Sequence, residues 1–375
     1  MSGIGEFKKQ FSNGQNDLVH LNNAGISLIS KPAKTLINTW TERFFTEAMH
    51  CNDAYLAAVE TARSQLAKLV SCKNTEVAFF QSTAGAVSQM AFGMELRPGD
   101  EVIMWDQEYS SNLYPWRAAA ERAGAKLVLV ASGESLETPV ERLLKAVTAK
   151  TKVIAISWVQ FQTGAVTDLK ILGQFSRKHN IWTVIDVIQG LGMMPLNFAE
   201  LELDAICGGS HKWLSSPVGV GYLVLREDRQ AQVRPLMIGS GTYGTCDDPS
   251  SLVCVAKSSA HKFEAGSRQV LEIVGLGASC DLIYATGVTA LQAETERLSK
   301  KLREGLKNAG FQIHSPHGEK QIGSIVNFSG KHDWAEAQLK KNQISYTVRG
   351  PGLRFSPHAF NTDEDIVRAV NSLTD

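Results

Sequence analysis

Ile181 to Leu223 reads IWTVIDVIQGLGMMPLNFAELELDAICGGSHKWLSSPVGVGYL. Its apolar opening, Ile181 to Ile185, closes on an acid, Asp186, the pattern of a buried parallel strand that delivers one carboxylate at its C-terminal edge. Gln189 follows shortly after, and a second apolar run, Ala205 to Cys207, opens into Gly208-Gly209-Ser210-His211-Lys212-Trp213. Two glycines let the backbone approach closely. A lysine behind them suits a reactive amine, held in a partly desolvated pocket where it can lose its proton. Taken singly, each residue has a plainer account: a strand-end Asp that caps the next helix, and a surface Lys after a turn. Taken together, an Asp on one strand edge and a Lys on the next match what pyridoxal phosphate asks of a protein. The amine forms a Schiff base, and the carboxylate keeps the pyridine nitrogen protonated so that the ring accepts electrons.

With Gln189 and Ser210-His211 included, the segment resembles the fold-type I pyridoxal-phosphate enzymes, specifically the class V aminotransferase and cysteine desulfurase group. Those enzymes carry Asp-x-x-Gln followed by a Ser/Gly-His-Lys signature at similar spacing. The resemblance implies an α/β PLP-dependent transferase fold: a large domain on a mainly parallel, doubly wound sheet, and a smaller C-terminal α/β domain. It implies pyridoxal 5'-phosphate as cofactor, with Lys212, Asp186 and His211 as the catalytic set. Lys212 is then the Schiff-base lysine and Asp186 the partner of the pyridine nitrogen. Gln189 bonds the ring's phenolic oxygen, and Ser210 and His211 contact the phosphate.

Composition agrees with such an enzyme. A chain of 375 residues with 43% hydrophobic and 20% charged residues buries a sizeable core and has room for a large and a smaller domain. Lys+Arg and Asp+Glu both number 38, so no electrostatic footprint for nucleic acid or a membrane surface is expected. No apolar run has signal-peptide or membrane-spanning character. Cys51, Cys72, Cys207, Cys246, Cys254 and Cys280 are scattered without a CxxC or Cys/His cluster, which argues against a disulfide framework and against a metal site. A reducing cytoplasm is the expected compartment.

In chain order, residues 1–20 read as an N-terminal arm with an amphipathic piece around Phe7 to Phe11, residues 21–266 as the large domain, and residues 267–375 as the small domain on which the arm packs. Leu21-Asn22-Asn23-Ala24-Gly25 has the local chemistry of a turn. In the family it resembles, a Leu-Asn/Asp-Asn-Ala segment lines the substrate pocket, which implies that role for Asn23 and Ala24. Val77 to Phe80 reads as a strand meeting Gln81-Ser82-Thr83-Ala84-Gly85, small residues that open a helix and leave its first N–H groups free for an anion. Thr83 suits an N-cap; the resemblance assigns Thr83 and Ala84 to the cofactor phosphate, and the two readings are compatible.

Glu108-Tyr109-Ser110-Ser111-Asn112 falls where the family reads Glu-His-x-x-Asn, the histidine stacking on the pyridine ring. Tyr109 still offers an aromatic face, but a phenol titrating near ~10 is a poorer acid or base at neutral pH. Lys126 to Val130, Val140 to Val147, Val153 to Val159 and Leu169 to His179 alternate as strand and helix, the order of a doubly wound sheet. A Rossmann nucleotide fold would also alternate so, yet no GxGxxG follows the early strands. Lys262-Phe263-Glu264-Ala265-Gly266-Ser267 resembles the family's Arg-Phe-Glu-x-Gly-Thr/Ser, which implies that Ser267 reaches the phosphate of a neighbouring subunit in a homodimer with shared active sites. Locally the same residues only start a helix. Arg354 matches the family arginine that takes the substrate α-carboxylate in a bidentate fork.

Desulfurases of this group carry a mobile cysteine just before the position of Arg354. Val348 to Leu353 contains none, and the nearest candidate is Cys246. The expected activity is therefore a pyridoxal-phosphate reaction on a small amino acid, transamination or β-elimination including C–S cleavage, with Lys212 moving the Cα proton. A desulfurase with relocated thiol chemistry and a cofactor-free α/β binding protein are the alternatives.

Overall fold

The computed structural model describes residues 3–11, 17–134, 136–244, 255–316 and 323–374. The apolar runs become one seven-stranded sheet: β1 Val77–Phe80, β2 Glu101–Trp105, β3 Lys126–Val130, β4 Thr151–Ser157, β5 Trp182–Asp186, β6 Ala205–Gly209 and β7 Gly221–Leu225. Its order is β1-β7-β6-β5-β4-β2-β3. Neighbours are parallel except at β7, which runs antiparallel to both β1 and β6. Strands β2, β5, β6 and β7 are buried at every position, because helices cover both faces, and so they read as continuous runs. Edge strand β3 is the one with exposed positions.

Local chemistry sets the crossovers. Asp168 accepts from the N–H groups of Lys170 and Ile171 at 2.9 and 3.0 Å and so starts the helix Leu169–Lys178. Gly124, at φ 67°, ends the helix Ser110–Ala123 in the left-handed conformation and releases the chain into β3. The parallel strands all end on one side, so Ser157, Asp186 and Cys207 stand in a row across β4, β5 and β6. That edge is where open α/β sheets bind ligands.

The small domain pairs the helices Val288–Asn308 and Asp363–Asn371 with an antiparallel sheet of β8 Gln312–Ile313, β9 Val326–Ser329, β10 Thr347–Arg349 and β11 Gly352–Phe355, in the order β10-β11-β9-β8. Leu298, Leu302, Phe328, Phe355 and Ile366 form its core, joined by Val19 and Leu21 from the other end of the chain. Val19–His20 pairs in parallel with Ile344–Ser345.

Of the boundaries expected from the sequence, 20/21 and 266/267, the packing bears on the second. Ile273, Leu276 and Ile283 of the helix Val270–Thr286 share one core with Val59 and Leu66, so this helix belongs to the large domain. The chain leaves that domain at Gly287, φ 91°, where the next helix sets off at 84°. Helical spacing marks which residues are buried but not which layer buries them. The arm, too, is built into the molecule: Phe7 of the helix Ile4–Lys9 is fully buried, and Lys8 Nζ donates to Glu294 at 2.7 Å and to the Asn361 carbonyl at 2.6 Å.

Candidate active site

A cleft of about 700 Å³ opens at the C-terminal ends of β5 and β6. Asp186, Gln189, His211 and Lys212 lie on its floor, Ser82 to Ala84 and Tyr109 on its walls, and Asn22, Ala24, Arg349 and Arg354 at its rim. The sheet makes the floor: β5 delivers Asp186, and Lys212 follows the end of β6 by three residues. The glycines before it are sterically required. A Cβ on Gly208 would sit 2.2 Å from Tyr222 Oη, and one on Gly209 would sit 2.8 Å from Thr83 Oγ1.

Asp186 is buried, and burial pushes its carboxyl well above the usual carboxylate range, against the N–H of Ile188 at 2.9 Å and the Lys212 cation. Burial likewise pushes the Lys212 amine down; Asp186 pulls it back, while Arg354 and Arg349 press it further down. Lys212 Nζ lies 5.6 Å from the centre of the Tyr109 ring and donates to no described residue. Tyr109 stands edge-on to Phe161 with ring centres 4.9 Å apart. His211 is pushed down to about 4 by burial and by the Lys212 charge, so its imidazole is neutral at neutral pH.

Gln189 is clamped from both ends of its amide. Its Nε2 donates to the Ala24 carbonyl at 3.0 Å, and its Oε1 accepts from Trp213 Nε1 at 2.9 Å. One bond thus ties the rim segment to the floor. Glu108, to which the sequence assigns no role, is a buried carboxyl that accepts from Ser157 N and Oγ at 2.7 and 2.6 Å, from Asn112 Nδ2 at 2.9 Å and from Gln160 Nε2 at 3.0 Å. It fixes the backbone beside Tyr109 at the end of β4. Its signal in the sequence was its four-residue spacing to Asn112 at a helix start.

Several expected residues take other places. Ser82, not Thr83, caps the helix Thr83–Gly93, its Oγ accepting from Gly85 N at 3.1 Å. Thr83 Oγ1 is buried and left without a partner. Ser210 turns its hydroxyl to the Pro217 carbonyl inside its own loop and does not line the cleft. Asn23 is wholly buried behind the rim, donating to the Ser356 carbonyl at 2.8 Å and accepting from Ser27 Oγ at 2.8 Å. Asn22 faces the cleft instead, from the first position of a turn closed by Gly25 N donating to the Asn22 carbonyl at 3.0 Å. Its Oδ1 accepts from Arg354 Nη2 at 3.3 Å.

Arg354, 2% exposed, also donates to the Phe161 carbonyl at 2.7 Å, while its Nε has no partner and no described carboxylate pairs with it. Burial, reinforced by Arg349, pushes it down to about 10. Ser267 is exposed and lines a different cavity, beside Phe80, Gly85 and Met237. The glutamate of its motif is structural: Glu264 pairs with Arg63 at 2.6 Å and with Arg268 at 2.6 Å, and accepts from Phe79 N at 2.9 Å on β1. Cys246 lies outside the described residues. No described cysteine lines the cleft; Cys207 and Cys280 are buried, and burial raises their thiols.

These residues fit pyridoxal phosphate. Asp186 is a buried carboxyl with no ion-pair partner within bonding distance among the described residues, as a ring N–H cation requires. Thr83 offers an unpaired buried hydroxyl beside a helix N-terminus, as a phosphate requires. Lys212 holds an amine without a hydrogen bond between them.

The profile of the family described as aminotransferase class-V matches residues 34–350. A probable cysteine desulfurase of Methanothermobacter thermautotrophicus is 27% identical over 330 residues, covering 82% of this chain and 81% of the relative. One of Pyrococcus abyssi is 23% identical, covering 93% and 92%. Among solved structures, an apo cysteine desulfurase of Thermococcus onnurineus superposes with TM-score 0.87 at 22% identity, covering 95% and 94% of the two chains. A cystine C–S lyase in complex with its product cysteine persulfide superposes at 0.89 and 20% identity, covering 98% and 99%.

Proposed function

The chain belongs to the class V aminotransferase family of pyridoxal-phosphate enzymes, and on that premise we propose that it cleaves a carbon–sulfur bond of a small amino acid by β-elimination. Bound pyridoxal phosphate supplies an electron sink for the charge left at Cα. The chain's residues supply the rest. Arg354 holds the α-carboxylate with the N–H groups it has free, a charge-assisted bond strengthened by burial. Lys212 carries the Cα proton on Nζ; burial and the two arginines keep a fraction of its amine unprotonated near neutrality, as a general base needs. Asp186 would hold the ring nitrogen of the cofactor, and Tyr109 would offer it an aromatic face for stacking. The neutral His211 contributes shape and hydrogen bonding without charge.

The observation that carries the reading is the hairpin β10–β11. Its tip is Arg349-Gly350-Pro351-Gly352, where the desulfurases it resembles bear a cysteine, so sulfur leaves on the substrate fragment with no thiol at the cleft among the described residues to receive it. Relatives named cysteine desulfurase and the cystine C–S lyase support a sulfur amino acid as substrate. We also read the protein as a cytoplasmic homodimer. The free thiols of Cys51, Cys72, Cys207 and Cys280 support the compartment. Exposed Leu236, Met237 and Ile238 near Ser267 support the interface. The test assays cystathionine, cystine, cysteine and alanine for keto acid, ammonia and thiol, beside Cys246→Ser. Keto acid and ammonia formed in equal amounts, undiminished in the variant, is the expected result. A panel without product sinks the reading, and sulfur release lost in Cys246→Ser transfers it to a relocated thiol.

A further inference from the structure

Two guanidiniums face this cleft, and the proposed reaction uses one. In the hairpin, Thr347 lies opposite Arg354 and Arg349 opposite Gly352. Opposed residues share a face, as do residues two apart on a strand, so Arg349 and Arg354 are diagonal neighbours on one face, their Cα atoms roughly 7–8 Å apart. Both line the cleft. Gly352 must be glycine, since a Cβ there would meet the Phe328 carbonyl at 2.1 Å, and it leaves Arg349 without a side chain across the pair. The backbone carrying Arg349 is held in place: Asn327 Nδ2 donates to its carbonyl at 2.7 Å and to the Gln162 carbonyl at 3.2 Å.

Matching charges leaves Arg349 over. Asp186 is the one described carboxylate lining the cleft, and it would hold the ring nitrogen of the cofactor. The start of the helix Thr83–Gly93 would take the phosphate, and Arg354 the α-carboxylate. Arg349 donates to the Val348 carbonyl at 3.1 Å and pairs with no described acid. Its charge bears on Lys212 and Arg354 alike, so a bare cation here works against the neighbours it sits beside.

We infer that the substrate carries a second carboxylate at the far end of its side chain, beyond the sulfur, and that Arg349 binds it. The inference rests on the reading of this cleft as an amino-acid site. Cystine and cystathionine have this chemistry; cysteine does not. The amino acid is thus gripped at both ends, with the C–S bond between.

The test reads binding without turnover, so it stands whether or not C–S cleavage is found. Adipate and hexanoate have the same chain length and differ by one carboxylate, and neither has an amine to react. Calorimetry on the holoenzyme compares them in the unaltered protein, Arg349→Gln and Arg349→Lys, whose melting temperatures are checked to match. Adipate is expected to bind about tenfold more tightly than hexanoate. Arg349→Gln erases that difference by weakening adipate alone, and Arg349→Lys keeps part of it. Adipate binding unchanged in Arg349→Gln, or both acids weakened equally, overturns the inference. The first makes Arg349 a solvated bystander, and the second a partner of the α-carboxylate.

Discussion

At the floor of the cleft, Asp186 and Lys212 stand at the ends of two adjacent strands, each a few residues from the turn that holds it. At the rim, Arg354 meets Asn22 across 332 residues of chain, and the two lie in segments whose backbones are bridged at Asn22 and Ser356. The floor is local and, in the proposed function, supplies the chemistry. The rim is assembled from the chain's two ends and, in the proposed function, supplies the choice of substrate. Substitutions in the two regions should therefore fail differently, the floor in kcat and the rim in KM.

Lys212→Ala is the largest expected effect: kcat falls by about a thousandfold or more, and the visible absorbance of bound cofactor changes with it. Asp186→Asn keeps the shape of the floor and removes its charge, and kcat drops by about a hundredfold with KM little moved. Arg354→Gln lowers kcat/KM by about a hundredfold, chiefly through KM, if the rim binds and does not react. An Arg354→Gln enzyme that loses kcat instead would break the division between the regions.

His358 couples the two. It follows the rim strand, bonds the Trp213 carbonyl at 3.1 Å through Nε2, and stacks between Phe7 and Phe360. Burial pushes it down to about 4. The unfolded chain, titrating near ~6.5, then binds more protons than the fold between those values, so stability falls as pH drops through that window, by about 2 kcal/mol at pH ~5. His358→Phe should flatten that part of the melting-temperature profile while keeping the stack; an unchanged slope would mean other groups carry it. The smallest effects separate two neighbours. Asn22→Ala raises KM about threefold at constant melting temperature, whereas Asn23→Ala costs about 1–3 kcal/mol of stability by stranding buried partners.

The same division explains what could be read beforehand. Asp186, Gln189 and Lys212 were legible because a buried strand followed by its own turn fixes where each side chain points. The orientations of Ser210 and Asn23 were not legible, because both lie outside strands and tertiary partners orient them: the Pro217 carbonyl for one, the Ser356 carbonyl for the other. Ser82 took the cap that Thr83 also suits, since both residues have the chemistry and only the backbone at Ser82, extended at φ −164°, decides. Arg349 left no signal, as its meaning lies in the pairing of β10 with β11. The helix Val270–Thr286 was readable as a helix, but its domain was not, because its partners lie more than 200 residues earlier.

The central claim is that the floor cleaves C–S bonds without a protein thiol. It is tested most directly by following products from cystine in a single turnover of the holoenzyme. The account predicts pyruvate and ammonia in equal amounts, with the sulfur leaving as cysteine persulfide in solution. Alanine as the product, with the sulfur bound to the protein, would contradict it.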